Sequence, residues 1–163
     1  MGSPPPLPVA VVDIDGVVAD VRHRLGLLAE RPKRWDAFFA AAPEDATLPE
    51  GVALVLALRQ EHEVVWLTGR PERNRAITES WLRKHGLPLG RLLMRRDDDR
   101  RPARHGKREA LRALSTERRI ALVVDDDPAV VRELQADGFP VRQATWLPHS
   151  STLRKAQNVD GET

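Results

Sequence analysis

The stretch VAVVDIDGVVAD, residues 9–20, places two aspartates directly after a run of four apolar residues. Such runs, rich in β-branched residues, are typical of strands buried in a parallel sheet. Asp13 and Asp15 lie two positions apart at the end of the predicted strand, so their side chains point to the same side. Gly16 then allows the chain to turn sharply. Two neighbouring carboxylates repel each other, which favours a bound cation, although D-x-D-G alone is also compatible with a helix N-cap or a solvated turn.

Further apolar runs predict the rest of a sheet. They are EVVWLT (63–68), IALVVD (120–125), FPVRQATW (139–146) and, more weakly, RLLMR (91–95). Helical patterns alternate with these runs, so the sequence predicts an α/β fold with a Rossmann-like, doubly wound parallel sheet. Ligands of such sheets bind beyond the carboxyl ends of the strands. Asp13, Thr68 and Asp125 each end a predicted strand, so we expect them to lie together.

The predicted helices have start and stop signals of their own. TLPE, residues 47–50, has the spacing of a capping box and predicts that a helix begins there. Segment 71–86 begins with proline and ends with glycine, and Ile77 and Trp81, four residues apart, indicate its buried face. Segment 127–138 begins with Asp127, a candidate N-cap, and ends with a glycine.

The segment WLTGRPE follows the second predicted strand with a hydroxyl, a glycine and an arginine. The Thr68 hydroxyl and the backbone N–H groups of this turn suit a phosphate oxygen, although Thr68 taken alone fits an ordinary N-cap better. Arg70 is compatible with a phosphate clamp and with an exposed surface position.

Three consecutive acids, Asp125 to Asp127, begin at the last residue of the strand predicted over 120–125, in VVDDDPAVV. Capping of the next helix accounts for Asp127. Asp125 and Asp126 remain, and buried carboxylates need a positive partner, so a metal ion is a plausible one. The alternative is a solvated acidic turn.

Composition limits the class of protein. The 163 residues suit one domain, 41% are hydrophobic and 31% are charged, and the net charge is +2. No apolar run approaches the ~18 residues of a spanning helix. The absence of cysteine leaves any metal to oxygen or histidine ligands. We expect a cytoplasmic protein with a flexible N-terminal arm (1–8), one folded domain (9–147) and a polar C-terminal tail (148–163).

In order along the chain, the sequence has D-x-D-G, a strand-end threonine, a lysine and an acidic pair. This set resembles the haloacid dehalogenase (HAD) superfamily, and more narrowly the phosphatase module of polynucleotide kinase-phosphatases and its free-standing bacterial relatives. The segments that carry the resemblance are DIDGVVADVRHRL, RWDAFF, LTGRPERNRAITESWLRKHGLP, RLLMRRDDDRRP, KREAL and VVDDDPAVV. They lie within residues 9–146.

The resemblance implies a Mg²⁺-dependent phosphatase. Asp13 would be the nucleophile that forms an aspartyl-phosphate, and Asp15 would be the general acid and then the base. Thr68 and Lys107 would hold phosphate oxygens. The implied metal site consists of Asp13, Asp125, Asp126 and the backbone carbonyl of Asp15. The implied substrate-binding residues are Gly69, Arg70 and Arg24.

The resemblance also bears on substrate and partners. Nucleic-acid 3′-phosphate ends and nucleotides are the implied substrates, while a small phosphorylated metabolite and a non-catalytic phosphate- or nucleic-acid-binding module are alternatives. Many polynucleotide phosphatases carry an acid four residues before the lysine, where this chain has Ala103, a departure that bears on 3′-phosphate specificity. Segment 20–49 is long enough only for a minimal cap. Trp35, Phe38 and Phe39 within it suit a buried helix face better than base stacking.

Other classes fit less well. A signalling receiver domain also has an acidic pair after a strand, but that pair lies near its start, whereas Asp125 lies late in this sequence. No G-x-x-x-x-G-K-[ST] motif occurs, so a P-loop kinase is excluded, and a kinase or ligase activity would belong to a separate partner.

Overall fold

A five-stranded parallel sheet forms the centre of the fold, in a computed structural model that describes residues 2–147. In chain order the strands are β1 (Val9–Val12), β2 (Ala19–Asp20), β3 (Ala46–Thr47), β4 (Glu63–Pro71), β5 (Leu92–Arg95), β6 (Ile120–Asp125) and β7 (Val141–Gln143). The order in the sheet is β5-β4-β1-β6-β7, and its pairings are all parallel. β2 and β3 form a separate antiparallel ribbon.

Helices cover both faces of this sheet. They are α1 (Gly26–Ala29), α2 (Trp35–Ala40), α3 (Pro49–Leu58), α4 (Arg75–Lys84), α5 (Ala103–Glu117) and α6 (Pro128–Ala136). The side chains of α3 and α4 pack with Trp66 and Val124 on one face, and those of α5 and α6 pack with Val65 and Val123 on the other. The prediction of an α/β, doubly wound sheet is therefore confirmed.

The central strand shows why the opening stretch decides the fold. All four residues of β1 are fully buried, because β4 and β6 flank the strand and helices cover both of its sides. A strand buried on both faces is apolar at every position instead of alternating apolar and polar residues. Its carboxyl end is therefore the first point where charged side chains are accommodated. The two aspartates of the opening stretch come at that point.

The capping-box prediction for residues 47–50 is wrong in its detail. Thr47 belongs to β3, where it pairs with Ala19, and so its backbone is extended. Leu48 takes the N-cap position of α3 without a side-chain hydrogen bond, and Pro49 is the first helical residue. The helix forms where it was expected, but Thr47, the predicted capping residue, pairs with Ala19 in the ribbon and does not cap the helix.

Two other local predictions have mixed outcomes. Asp127 caps α6, since its carboxylate accepts a hydrogen bond from the Ala129 backbone N–H at 2.8 Å. In α4 the buried face contains Trp81 as expected, but Ile77 is only half-buried, and Thr78 and Leu82 occupy the buried positions instead.

Residues 21–45, between β2 and β3, form the minimal cap. Their short helices α1 and α2 bury Leu28, Phe38 and Phe39, while Trp35 packs against this cluster half-buried. The aromatic residues therefore form a small core, as the sequence favoured.

The chain ends bear on the predicted organisation. Residues 2–7 of the predicted arm are exposed, and the predicted tail, 148–163, lies outside the described residues. Among residues 2–147, no helix has both the length and the apolar character that crossing a membrane requires.

Candidate active site

The carboxyl ends of three neighbouring strands bring the predicted site residues together. β4, β1 and β6 are adjacent in the sheet, and Asp13 and Asp125 lie at or just beyond the ends of β1 and β6. Thr68 lies inside β4, because that strand continues to Pro71 instead of ending at Thr68 as the sequence predicted. The Asp13 backbone N–H donates to the Val124 carbonyl at 2.9 Å, which holds the nucleophile candidate against β6. All three side chains are buried.

Lys107 provides the positive charge at the centre of this cluster. It lies in α5, and its ammonium Nζ is 3.0 Å from Asp13 Oδ2 and 2.6 Å from Asp125 Oδ2. Burial alone would lower the pKa of Lys107, but Asp125 and Asp13 outweigh that effect and raise it. The lysine is therefore a fixed cation that bridges two carboxylates.

Three carboxylates form a potential cation site beside the lysine. Oxygen atoms of Asp13, Asp125 and Asp126 lie within 4.8 Å of one another, and all three residues are buried. Burial, opposed by Lys107 and reinforced by neighbouring carboxylates, raises the pKa of Asp13 well above its usual value and that of Asp125 to about 6. Lys107 is thus shared by Asp13 and Asp125 with Asp126 close by, and a divalent cation in this cluster would reduce the repulsion among the acids.

The D-x-D-G turn lies very close to the acids of this site. Gly16 has a φ of 78°, and a Cβ atom there would lie 2.0 Å from Asp126 Oδ2. Only glycine therefore lets the turn come so near to the acidic pair. The donor set is entirely carboxylate oxygen, which is the chemistry that Mg²⁺ prefers, so these residues fit that ion.

Asp15 faces a different set of partners from Asp13. Arg70 Nη2 donates to Asp15 Oδ1 at 2.6 Å, and Arg24 Nη2 donates to the same oxygen at 3.2 Å. Burial alone would raise the pKa of Asp15, but Arg70 and Arg24 together lower it to about 2. Asp15 is therefore a carboxylate in this structure, and its side chain is not part of the three-acid cluster.

Thr68 and Gly69 line the approach to Lys107. The Thr68 hydroxyl accepts a hydrogen bond from the Arg70 N–H at 3.2 Å and lies inside β4, so the N-cap alternative for Thr68 does not hold. The Gly69 carbonyl accepts a hydrogen bond from Arg95 Nε at 3.0 Å. Thr68, Gly69 and Lys107 share the lining of a small pocket of about 40 Å³.

A larger open pocket of about 630 Å³ adjoins the small one. The lining residues that the two pockets share come from β5, from the arginine-rich loop (residues 96–102) and from α5: Met94, Asp99, Arg101, Gly106 and Ala110. Within the loop Arg96 pairs with Asp98, and Arg101 pairs with Asp99 and with Glu109. The arginines and aspartates of RRDDDRR, residues 95–101, therefore largely neutralise one another.

Asp45 belongs to the site, although it was not predicted as a site residue from the sequence. Its side chain is fully buried and binds Arg24 and Arg70, the two arginines that hold Asp15. The exposed Glu44 precedes it, and the sequence offers no local signal that separates these two acids. The two arginines are buried as well, which excludes the surface position considered for Arg70.

Comparisons with known proteins support the interpretation of this site. The family model described as the polynucleotide kinase PNKP phosphatase domain matches residues 8–146. A search of curated proteins found no significant match.

Solved structures resemble the fold. A chain in the structure of a Pnkp1/Rnl/Hen1 complex is 25% identical with a TM-score of 0.72. That match covers 85% of this chain and 45% of the other, so this chain spans less than half of that protein. A HAD family enzyme from Bacteroides thetaiotaomicron, solved with magnesium and inorganic phosphate, is 13% identical with a TM-score of 0.53, and the match covers 90% and 98% of the two chains.

A haloacid dehalogenase-like hydrolase from Streptococcus pneumoniae is 10% identical with a TM-score of 0.58 over 94% of this chain and 92% of the other. The matches at 13% and 10% identity show the fold alone. The family model spans nearly all of the described residues, and the residues that it covers include every member of the site. The chain therefore belongs to the family of polynucleotide kinase phosphatase domains and is a phosphatase of the HAD type.

Proposed function

We propose that this chain is a Mg²⁺-dependent phosphomonoesterase that works through an aspartyl-phosphate on Asp13. We propose nucleic-acid 3′-phosphate ends or nucleotides as its substrates. The observation that carries the proposal is the buried bridge from Lys107 to Asp13 and Asp125, with a third acid beside it. An aspartate held next to fixed positive charge at the end of a strand suits in-line attack on phosphorus.

In the first step an Asp13 carboxylate oxygen attacks phosphorus, and the bond between phosphorus and the ester oxygen breaks. Lys107 and the Thr68 hydroxyl neutralise and orient the equatorial phosphate oxygens. The departing alkoxide takes a proton from Asp15, so that an alcohol leaves and an aspartyl-phosphate remains.

In the second step Asp15, now a carboxylate, takes a proton from water. The resulting hydroxide attacks phosphorus, the Asp13 acyl phosphate bond breaks, and inorganic phosphate and free Asp13 are restored. Asp15 ends the cycle protonated, so it can serve as acid in the next one.

Arg70 connects these two roles of Asp15. Its guanidinium holds Asp15 ionised in this structure, which suits the base of the second step. A phosphate dianion that enters the site competes with Asp15 for Arg70, and a weaker ion pair raises the pKa of Asp15 towards the value that a general acid needs.

Asp13, Asp125, Asp126 and the Asp15 backbone carbonyl would hold Mg²⁺. The ion would neutralise charge on the transferring phosphoryl group and allow the acids of the cluster to be ionised together. Lys107 alone does not do so, because the pKa values of Asp13 and Asp125 stay raised in its presence.

Three observations support a substrate with a nucleic-acid or nucleotide leaving group. The matching family is that of polynucleotide kinase phosphatase domains, and the cap of residues 21–45 is small. The open pocket beside Thr68 and Lys107 leaves room for a bulky leaving group. A neighbour's complex is described as Pnkp1/Rnl/Hen1, which supports the further proposal of a separate kinase or ligase partner.

The testing experiment is phosphate release in the presence of Mg²⁺, with the wild type beside Asp13→Asn. The panel contains a 3′-phosphorylated oligonucleotide, a 5′-phosphorylated one, 3′- and 5′-mononucleotides, a sugar phosphate and para-nitrophenyl phosphate. We expect the oligonucleotide 3′-phosphate or a mononucleotide to be preferred. Asp13→Asn should lower turnover by roughly 10³-fold or more.

The substitution should leave the fold intact, because it removes a buried charge that is incompletely compensated. A well-folded Asp13→Asn protein that keeps its activity would contradict the mechanism. Preference for the sugar phosphate would contradict the proposed substrate class but would still be compatible with the aspartyl-phosphate mechanism.

A further inference from the structure

Asp45 is a fully buried acid that lies outside the three-acid cluster of Asp13, Asp125 and Asp126. Its carboxylate accepts two hydrogen bonds from Arg24, at 2.8 Å from Nε and 2.7 Å from Nη2, and a third from Arg70 Nη2 at 3.3 Å. The half-exposed His23 completes the set, with Nε2 at 2.6 Å from Asp45 Oδ1. A two-pronged contact of this kind fixes both the position and the plane of a guanidinium.

The same two arginines are the partners of Asp15. Arg24 Nη2 and Arg70 Nη2 each contact Asp15 Oδ1, so each guanidinium bridges Asp15 and Asp45. Two cations and two anions thus balance in a buried cluster. Removal of one member of such a cluster leaves an uncompensated charge, and the remaining members shift to reduce that cost.

The backbone of Asp45 is held independently of the reacting groups. Trp81 Nε1 donates to the Asp45 carbonyl at 2.9 Å, and the Asp45 N–H donates to the Ala42 carbonyl at 3.0 Å. Asp45 therefore links the cap and α4 to both arginines, whose Nη2 atoms also contact Asp15. It is in a position to hold both guanidiniums without touching a substrate.

We propose that Asp45 is a positioning residue that, through Arg24 and Arg70, sets the placement of the Asp15 carboxyl for proton transfer to the leaving group. The inference rests on the proposed function, because it assigns Asp45 to the proton-transfer step of that reaction. Without Asp45, Asp15 is the one carboxylate that both guanidiniums still contact, so we expect the guanidiniums and the Asp15 carboxyl to change position.

A leaving-group comparison separates positioning from a merely structural role. A nucleoside alkoxide needs a proton as it departs, whereas para-nitrophenolate does not. The kcat/KM value reports the steps up to the loss of the leaving group, so it isolates this proton transfer. The experiment measures kcat/KM for a 3′-phosphorylated oligonucleotide and for para-nitrophenyl phosphate, with saturating Mg²⁺.

We expect Asp45→Asn to lower kcat/KM for the oligonucleotide by about 10- to 100-fold and for para-nitrophenyl phosphate by less than about threefold. Asp15→Asn should likewise lower kcat/KM more for the oligonucleotide than for para-nitrophenyl phosphate. Val130→Ala, a buried substitution in α6 on the other face of the sheet, serves as a control for lost stability. It should lower the melting temperature and leave the ratio of the two kcat/KM values unchanged.

Equal losses on both substrates, or no loss on either, in a folded Asp45→Asn protein would overturn the role of Asp45 and leave the proposed function intact. Absence of phosphate release by the wild type would overturn the proposed function itself. If Asp45→Asn does not fold, Asp45→Glu keeps the charge and displaces the carboxylate by one methylene group. The same selective loss in that variant supports the proposal, and its absence overturns it.

Discussion

At the scale of single residues, the site divides its acids into two groups with opposite electrostatics. Asp13 and Asp125 share one lysine and have raised pKa values, whereas Asp15 has two arginines and a pKa lowered to about 2. Burial is the same for all three, so the difference comes from the ratio of cations to carboxylates. The group around Lys107 therefore suits cation binding because its acids outnumber its cations, whereas Asp15 is kept ionised by its two arginines.

Lys107→Met tests the first group. The substitution leaves Asp13 and Asp125 buried without their shared cation, so we expect the free energy of unfolding to fall by about 3–5 kcal/mol in metal-free buffer. Mg²⁺ should restore part of that loss, because it supplies the missing positive charge. Urea denaturation with and without Mg²⁺ measures both effects.

The control for Lys107→Met is Lys84→Met, which removes an exposed lysine at the end of α4. That variant should stay within about 0.5 kcal/mol of the wild type. A Lys107→Met protein as stable as the wild type without metal would show that the two carboxylates do not depend on this ammonium group.

At the scale of elements, the first turn of α3 packs directly on the loop that carries the aspartates. A Cβ atom on Gly51 would lie 1.7 Å from the Val17 carbonyl oxygen, which also accepts a hydrogen bond from Trp146 Nε1 at 2.9 Å. The Leu48 N–H donates to the neighbouring Val18 carbonyl at 2.8 Å. The position of the D-x-D-G turn therefore depends on the close approach of this helix.

Gly51→Ala should accordingly destabilise the protein by about 1–3 kcal/mol or more, because the added methyl group meets backbone that has no rotamer to change. Gly26→Ala is the matched control, since a Cβ atom at this helical glycine meets nothing within 4 Å. It should be neutral or stabilise by about 0.4–1 kcal/mol. Equal effects of the two substitutions on the urea midpoint would contradict the packing argument.

At the scale of the whole molecule, the parts that sequence predicts are those that depend on local pattern. The apolar runs predicted the five strands of the main sheet, and the ends of the predicted strands pointed to Asp13, Thr68 and Asp125, because parallel strands place their carboxyl ends along the same edge of the sheet. β4 itself continues past Thr68 to Pro71. Thr47 shows the limit of such signals, since its sequence pattern predicted a helix cap but the residue pairs with Ala19 in a strand.

Asp45 shows a second limit. Its role depends on the approach of Arg24 from 21 residues away and of Arg70 from 25 residues away along the chain, and no local pattern encodes either approach. An acid next to another acid in PEDATLP looks exposed in sequence, and only tertiary packing distinguishes Asp45 from Glu44.

Cation binding should be visible in the stability of the entire chain. A ligand that binds only the folded state stabilises it by about 2.7 kcal/mol at a hundredfold excess over its dissociation constant. For a domain of this size, that corresponds to a rise of roughly 5–10 °C in melting temperature. We expect such a rise when Mg²⁺ is added to the wild type.

Asp126→Asn should separate specific from general ion effects. It removes one of three carboxylates in the cluster, so we expect a higher melting temperature than the wild type without metal, because repulsion falls, and a smaller rise when Mg²⁺ is added. Asp98→Asn, which removes an exposed acid of the arginine-rich loop, should keep the full rise. The same rise in all three proteins would place the ion elsewhere, whereas the expected order would assign it to the acids at the carboxyl ends of β1 and β6.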